Sequence, residues 1–289
     1  MSSVAQLKGR IRSVNSTKQI TGAMQLVAAS KMRKASESSL STQDYHRHAS
    51  DLLMHLANEG ATDKYGLFVH RPVKTRLLIV IASDTGLAGA YNSNIFKEYV
   101  KALQFDRDRG VKTLTIAVGR KIAQYASRLD GVEVIGSYEG MTNNVTPGER
   151  EAIADIALEK YRNGEVDAVD LIYTKFRSSI SQEIKTWALL PAGHIPGVEV
   201  SDDIKSMTFE PSRGIVLDFL VDRLLRVQVV QAILDSAASE HSTRMMAMKN
   251  ATDNATDLSE DLTLAMNKER QAAITQEISE ISNGAEAVE

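Results

Sequence analysis

The sequence predicts an α/β domain with a parallel-rich sheet, plus two long terminal helices that pair as an antiparallel coiled coil. Three observations predict it. Residues 215–283 contain no proline or glycine, residues 4–58 contain no proline and only Gly9 and Gly22, and the stretch between alternates short β-branched runs with amphipathic ones. Proline and glycine are the residues that end helices, so two long segments without them read as helices far longer than a globular core needs. Strand and helix in alternation argue for a sheet covered by helices.

The first helix, within residues 1–59, would extend roughly 80 Å at a rise of about 1.5 Å per residue. Leu7, Ile11 and Val14 begin an apolar seam, and Ile20, Met24 and Val27 resume it displaced by one position. Such a slip would change how the helix winds about its partner. Gly22 costs about 1 kcal/mol relative to alanine in a helix interior, so it either admits a close neighbour or marks a soft spot. Two glycines and a proline in residues 60–74 break the period and read as a linker.

Residues 75–205 form the predicted α/β domain. Strands are expected at 76–82 (RLLIVIA), 113–118, 132–135, 168–176 and 183–189, with helices at 94–108, 120–129 and 147–163. Residues 206–289 form the second long helix, about 100 Å if helical throughout 215–283. Stepping four and three residues from Leu220 meets Leu224, Val227, Gln231, Leu234, Ala238, His241, Met245, Met248, Thr252, Ala255, Ser259, Leu262 and Met266. Ten of these fourteen are apolar, which is the signature of a coiled-coil seam. Leu and Val fill its first third; Ala, Ser, Thr and Met fill its middle, where small side chains let a partner helix come close. Past Met266 the repeat fades into KERQAAITQEISEIS, with polar residues on all faces, as expected of a helix in solvent or against another chain.

Composition narrows the function. Net charge is −3, yet Lys8, Arg10, Arg12, Lys18, Lys31, Arg33 and Lys34 occur in the first 36 residues with no acid, leaving the remainder near −10. A basic end of this kind is expected to meet an acidic partner. There is no cysteine, so disulfide, thiol and cysteine–metal chemistry are excluded. No apolar run approaches the ~20 residues of a membrane helix, and no signal-peptide core follows the basic start. The first twenty residues have the composition of a mitochondrial transit peptide, but the apolar period begins at once with Leu7, so the chain is expected on the cytosolic side.

Candidate chemistry is sparse. The turn 83–92 after the first strand holds Gly86 and Gly89 and could present a phosphate to a helix start, yet its spacing matches no nucleotide-loop pattern and it lacks a lysine. A tight structural turn is the better reading. Asp44, His48, Asp51 and His55 share a helix face and could hold a metal, although such faces are more often simply solvated. His241 lies on the seam and reads as packed. The basic helix could follow phosphates on nucleic acid, but its charges fall on several faces with no aromatic interleaved. No nucleophile with a base can be assembled, and no cofactor is expected on this chain.

Four segments carry a resemblance: 11–35 (IRSVNSTKQITGAMQLVAASKMRKA), 83–92, 240–258 (EHSTRMMAMKNATDNATDL) and 270–277 (RQAAITQE). Together they resemble the gamma subunits of F-type rotary ATP synthases along the whole chain. The resemblance implies a central shaft, one copy per complex, inside a ring of three alpha and three beta subunits that bind Mg-ATP and do the catalysis. It also implies a foot meeting the epsilon subunit and a membrane ring of c subunits, and a peripheral place on the cytoplasmic face of an energy-transducing, bacterial inner membrane. Nucleic acid has no part.

By motif match, Arg270, Gln271, Thr275 and Glu277 resemble the collar that bonds to loops of the catalytic subunits, and Met24, Lys31, Arg33 and Lys34 the segment facing their acidic lever. Phe209, Glu210 and Pro211 resemble the foot segment. The chain departs from the family at Gly22, where lysine is usual; at Thr85 and Ala88, where arginine and cysteine are usual; and at Glu269, where alanine is usual. A plastid-type redox insert has no counterpart. Two readings compete with the rotor: a nucleotide-binding α/β enzyme dimerised through its helices, and a coiled coil on nucleic acid.

Overall fold

A computed structural model describes residues 4–56, 67–68, 70–142, 147–192 and 213–286, with side chains described except at 42–56, 147, 213–215, 217–218, 282 and 284–286. In chain order the elements are α1 (Val4–Leu56), β1 (Thr75–Ile81), α2 (Tyr91–Asp108), β2 (Lys112–Val118), α3 (Arg120–Ala126), β3 (Glu133–Tyr138), α4 (Pro147–Arg162), β4 (Ala168–Phe176), β5 (Gln182–Leu190) and α5 (Arg213–Glu286). They fall into two compact units, one of Met1–Ala28 with Arg244–Glu289, the other Ala29–Thr243.

The larger unit is built on β1. Its run TRLLIVI pairs in parallel with β2 from Thr75↔Lys112 to Ile81↔Val118 and with β4 from Arg76↔Ala168 to Val80↔Ile172. The sheet order is β3-β2-β1-β4-β5, with β5 alone antiparallel. A central parallel strand is covered on both faces, which is why β1 shows no polar alternation. Leu77, Ile79 and Ile81 pack with Ile153, Ala157 and Leu158 of α4 and with Val221, Leu225 and Ile233 of α5. Leu78 and Val80 pack with Tyr91, Ile95 and Tyr99 of α2 and Ile122 of α3 on the other face. Leu67 and Phe68, ahead of β1, are buried in the α4 and α5 layer, and Ala192 N–H donates to the Leu67 carbonyl at 2.7 Å.

Charge ties the interior strands to α2 on one face and joins α4 to α5 on the other. Arg76 of β1 donates through Nε to Asp106 of α2 at 3.0 Å and through a terminal nitrogen to Asp170 of β4, while Thr113 Oγ1 of β2 donates to the other Asp106 oxygen at 3.1 Å. Burial pushes the Asp170 carboxyl above its usual range, with the Arg76 charge opposing. On the opposite face Arg223 and Arg226 of α5 pair with Glu151 and Asp155 of α4 at 3.1 and 3.0 Å.

In the smaller unit the two helices run antiparallel. Thr252 Oγ1 donates to Thr21 Oγ1 at 2.7 Å and Ser259 Oγ donates to Asn15 Oδ1 at 3.0 Å, so the chain climbs in one helix as it descends in the other. All fourteen seam positions of α5 read from the sequence are buried or half-buried. The seam of α1 differs from the expectation. It does not slip: Leu7, Ile11, Val14, Lys18, Thr21, Gln25 and Ala28 form one unbroken line of buried or half-buried residues at alternating steps of four and three. Ile20 and Val27, assigned to the seam by their apolarity, are 60% and 57% exposed. Helix geometry, rather than side-chain character, sets which residues meet the partner, and here it places polar and small side chains there.

Two glycines give opposite predictions. At Gly22 an added Cβ meets nothing within 4 Å, so no close neighbour requires it. Gly22→Ala should therefore raise stability by about 0.5–1 kcal/mol in chemical denaturation. At Gly119, with φ +106, a Cβ would sit 2.1 Å from the Ala82 carbonyl oxygen. Gly119→Ala should cost about 2–4 kcal/mol in the same measurement.

Candidate functional site: a helix end built for partners

A doubly wound sheet normally binds ligands beyond the carboxyl ends of its strands, where the strand order reverses. Here that place lies between β1 and β4, and α5 fills it. Pairing with β1 stops at Ile172, yet β4 continues to Phe176. The backbone groups this leaves are met by α5: Thr174 N–H donates to Ser236 Oγ at 3.3 Å, and Ser239 Oγ donates to the Thr174 carbonyl at 3.3 Å. Tyr91 Oη donates to the Ser236 carbonyl at 3.2 Å, and Ser242 Oγ to the Ser179 carbonyl at 2.6 Å. The three serines are completely buried. Small side chains were expected to admit a partner helix; at these positions the neighbour they admit is the end of β4 and its hairpin.

The turn between β1 and α2 uses its polar groups on itself. Ser83 N–H donates to Asn92 Oδ1 at 3.1 Å and Ser83 Oγ donates to the Thr85 carbonyl at 2.7 Å. The two Asp84 oxygens accept the backbone N–H of Arg120 at 3.1 Å and of Gly140 at 3.0 Å. The Asp84 carboxylate thus ties the turn to the start of α3 and to the segment after β3, and Gly89, at φ +53, shapes the turn. Geometry here supports the structural turn. His241 is buried, as read from the seam. The side chains of Asp44, His48, Asp51 and His55 lie outside the described residues, as do Phe209, Glu210 and Pro211.

The other end of α5 is the opposite in character. Opposed residues of the helix pair have numbers that total 273 or 274, so Val4, the first described residue of α1, falls opposite position 270 or its neighbour. Beyond it α5 continues to Glu286 with no described residue of α1 alongside. Every side chain from 270 to 281 is exposed, including Arg270, Gln271, Thr275 and Glu277. Thr275 Oγ1 donates within the helix to the Gln271 carbonyl at 2.9 Å.

This end departs from the expectation of a helix polar on all faces. Ile274, Ile278 and Ile281 are 49%, 62% and 72% exposed and are spaced by four and three, so they form one apolar line. At about 100° per residue, Arg270 and Glu277 flank that line on one side and Gln271 and Thr275 on the other. The line was missed because it lies off the seam that runs through Leu262 and Met266. On α1, Met24 is half-buried, while Leu26 is 72% exposed beside it. Lys31, Arg33 and Lys34 are exposed as well.

The fold and these surfaces define a class: an α/β domain whose ligand crevice is taken by its own long helix α5, and whose two long helices pair and then, among the described residues, leave the end of α5 without a companion. The family model described as ATP synthase matches residues 3–288. The ATP synthase gamma chain of Anaeromyxobacter sp. (strain Fw109-5) is 40% identical over 293 residues, and that of Glaesserella parasuis serovar 5 (strain SH0165) 38% over 293, each alignment covering all of both chains. Among solved structures, a chain of the Tetrahymena thermophila mitochondrial ATP synthase central stalk/c-ring is 28% identical with a TM-score of 0.60, over 80% of this chain and 99% of that one. The chain belongs to the ATP synthase family.

Two substitutions test the filled crevice and its surroundings. Ser236→Ala leaves the buried Thr174 N–H without its acceptor and should cost about 1–3 kcal/mol in thermal or chemical melts. Asp235, buried beside it, accepts Ser39 Oγ at 2.6 Å and Gln231 Nε2 at 3.2 Å. Burial pushes its carboxyl up, partly offset by the Ser39 bond and the Lys175 charge. A raised folded-state pKa means the ionised form opposes folding, an effect absent below the ordinary carboxylate range and full above the raised pKa. Asp235→Asn, which keeps an acceptor for both donors, should therefore stabilise at pH 7, with the gain shrinking as pH falls to about 4.

Proposed function

We propose that this chain is the central rotor of an F-type ATP synthase, carrying torque between an ion-driven membrane ring and a catalytic ring of three alpha and three beta subunits. One copy serves the complex. The observation that carries the reading is the end of α5, where an exposed isoleucine line lies between Arg270 with Glu277 and Gln271 with Thr275, and no second helix of the described chain covers it. An apolar line framed by polar side chains is a contact surface for another protein. Arg270, Gln271, Thr275 and Glu277 bond to loops of the catalytic subunits, and the isoleucines seat against the apolar lining of the ring.

Met24, Lys31, Arg33 and Lys34 face the acidic surfaces of the beta subunits. The α/β domain, residues 75–205, forms the membrane-facing foot, and Phe209, Glu210 and Pro211 meet epsilon and the ring of c subunits. The subunit is non-catalytic: Mg-ATP and ADP belong to alpha and beta, and the coupling ion, a proton or sodium, crosses elsewhere. No helix among the described residues is long and apolar enough to cross a membrane, in keeping with a peripheral place on the cytoplasmic face of the bacterial inner membrane. Each catalytic subunit meets a different side of an unequal helix pair, so one shaft angle favours a different conformation in each.

Arg270→Ala with Gln271→Ala tests the assignment. The pair should lower ATP-driven ion pumping per ATP hydrolysed in the assembled complex while leaving the stability of the isolated chain within about 0.5 kcal/mol, as for exposed sites generally. A fall of several degrees in the isolated chain's melting midpoint, or pumping unchanged in the complex, contradicts it.

A further inference from the structure

The α/β unit holds a cleft of about 390 Å³ that neither the crevice nor the helix end accounts for. It opens between α1, α5 and the ends of β4 and β5. Trp187 and Tyr173, on adjacent strands, contribute two rings whose centroids lie 6.4 Å apart at a tilt of 33°. Leu40 of α1, 61% exposed, adds an aliphatic wall. Lys175 and Arg177 line it as well, against the single lining carboxylate of Asp235. That carboxylate is only 6% exposed and has Ser39 and Gln231 donating to one oxygen. Arg177 keeps a loose rim pair with Glu183 at 3.3 Å, in which both side chains are about half exposed.

We propose that this cleft binds a small amphiphilic anion, with an aromatic or branched apolar body against Trp187 and Leu40 and an acidic group held by Lys175 and Arg177. Three features argue for that occupant. The volume lies at the low end of small-molecule sites, ~300–1,000 Å³. The half-buried Trp187 ring, backed by the buried Tyr173, offers flat apolar area at little entropic cost. The two lining cations outnumber the one lining carboxylate, and the Glu183 pair with Arg177 is a half-exposed rim contact that a bound acid can replace and an amine cannot. The inference does not rest on the rotor assignment, since it concerns a different face of the chain.

The test uses an accident of composition: Trp187 is the only tryptophan. The full-length chain is titrated with 8-anilinonaphthalene-1-sulfonate while Trp187 is excited, and energy transfer to the probe is recorded. Transfer reports only molecules bound near Trp187. The expected result is saturable transfer at one probe per chain, weakened about tenfold or more by Lys175→Gln with Arg177→Gln, and not reproduced by competition with the cationic 1-naphthylmethylamine. The double variant must melt as the parent does; a Lys175→Gln variant alone, with a smaller loss, serves if it does not. Non-saturable transfer, equal competition by the amine, or affinity unchanged in the folded variants would overturn the proposal. So would loss of the site in the assembled complex, which would give the cleft to a neighbouring subunit instead.

Discussion

One helix has to satisfy two neighbours, and the rest of the structure follows from that constraint. Residues 232–242 of α5 are buried without a break, so this length of helix has no solvent face. An amphipathic stripe cannot meet such a demand; every face must be apolar, small or supplied with a hydrogen-bond partner. The sequence meets it with Ala237 and Ala238, with Ser236, Ser239 and Ser242 bonded to β4 and its hairpin, and with Asp235 held by Ser39 of α1 and Gln231. The same serines finish a strand that outruns its neighbour. A crevice that would hold a nucleotide in a related sheet is closed by the polypeptide itself, which is the strongest physical argument against the enzyme reading.

What the sequence disclosed divides along clear physical lines. Strands and helices of the α/β unit are legible because a central parallel strand such as β1 is apolar without a break from Leu77 to Ile81 and because Pro147 opens α4; β4 is expected at 168–176 and is found there. The α5 seam was legible because ten of its positions are apolar. The α1 seam was not, since its true line runs through Lys18, Thr21 and Gln25 while Ile20 and Val27 stay exposed. Apolarity marks burial only when the chain is its own partner. Here α1 carries apolar residues on two faces, and sequence periodicity blends them.

The isoleucine line at the end of α5 shows the same effect. Ile274, Ile278 and Ile281 were submerged in a segment dominated by Lys, Glu and Gln, and only the helix geometry separates them from the polar residues on either side. The four residues that the family resemblance picks out, Arg270, Gln271, Thr275 and Glu277, frame this apolar strip. The serine contacts to β4 had no signal at all beyond small size, because a serine at a helix–helix contact and one at a strand end look alike in sequence.

The absence of cysteine opens the most direct measurement, because a single introduced thiol is unique. Arg128→Cys, on the exposed surface after α3, would carry a bead while the catalytic ring of the complex is fixed to a support and supplied with ATP. The account predicts that the bead turns in one direction, pausing at thirds of a revolution. A bead that stays still while the ring hydrolyses ATP would contradict it.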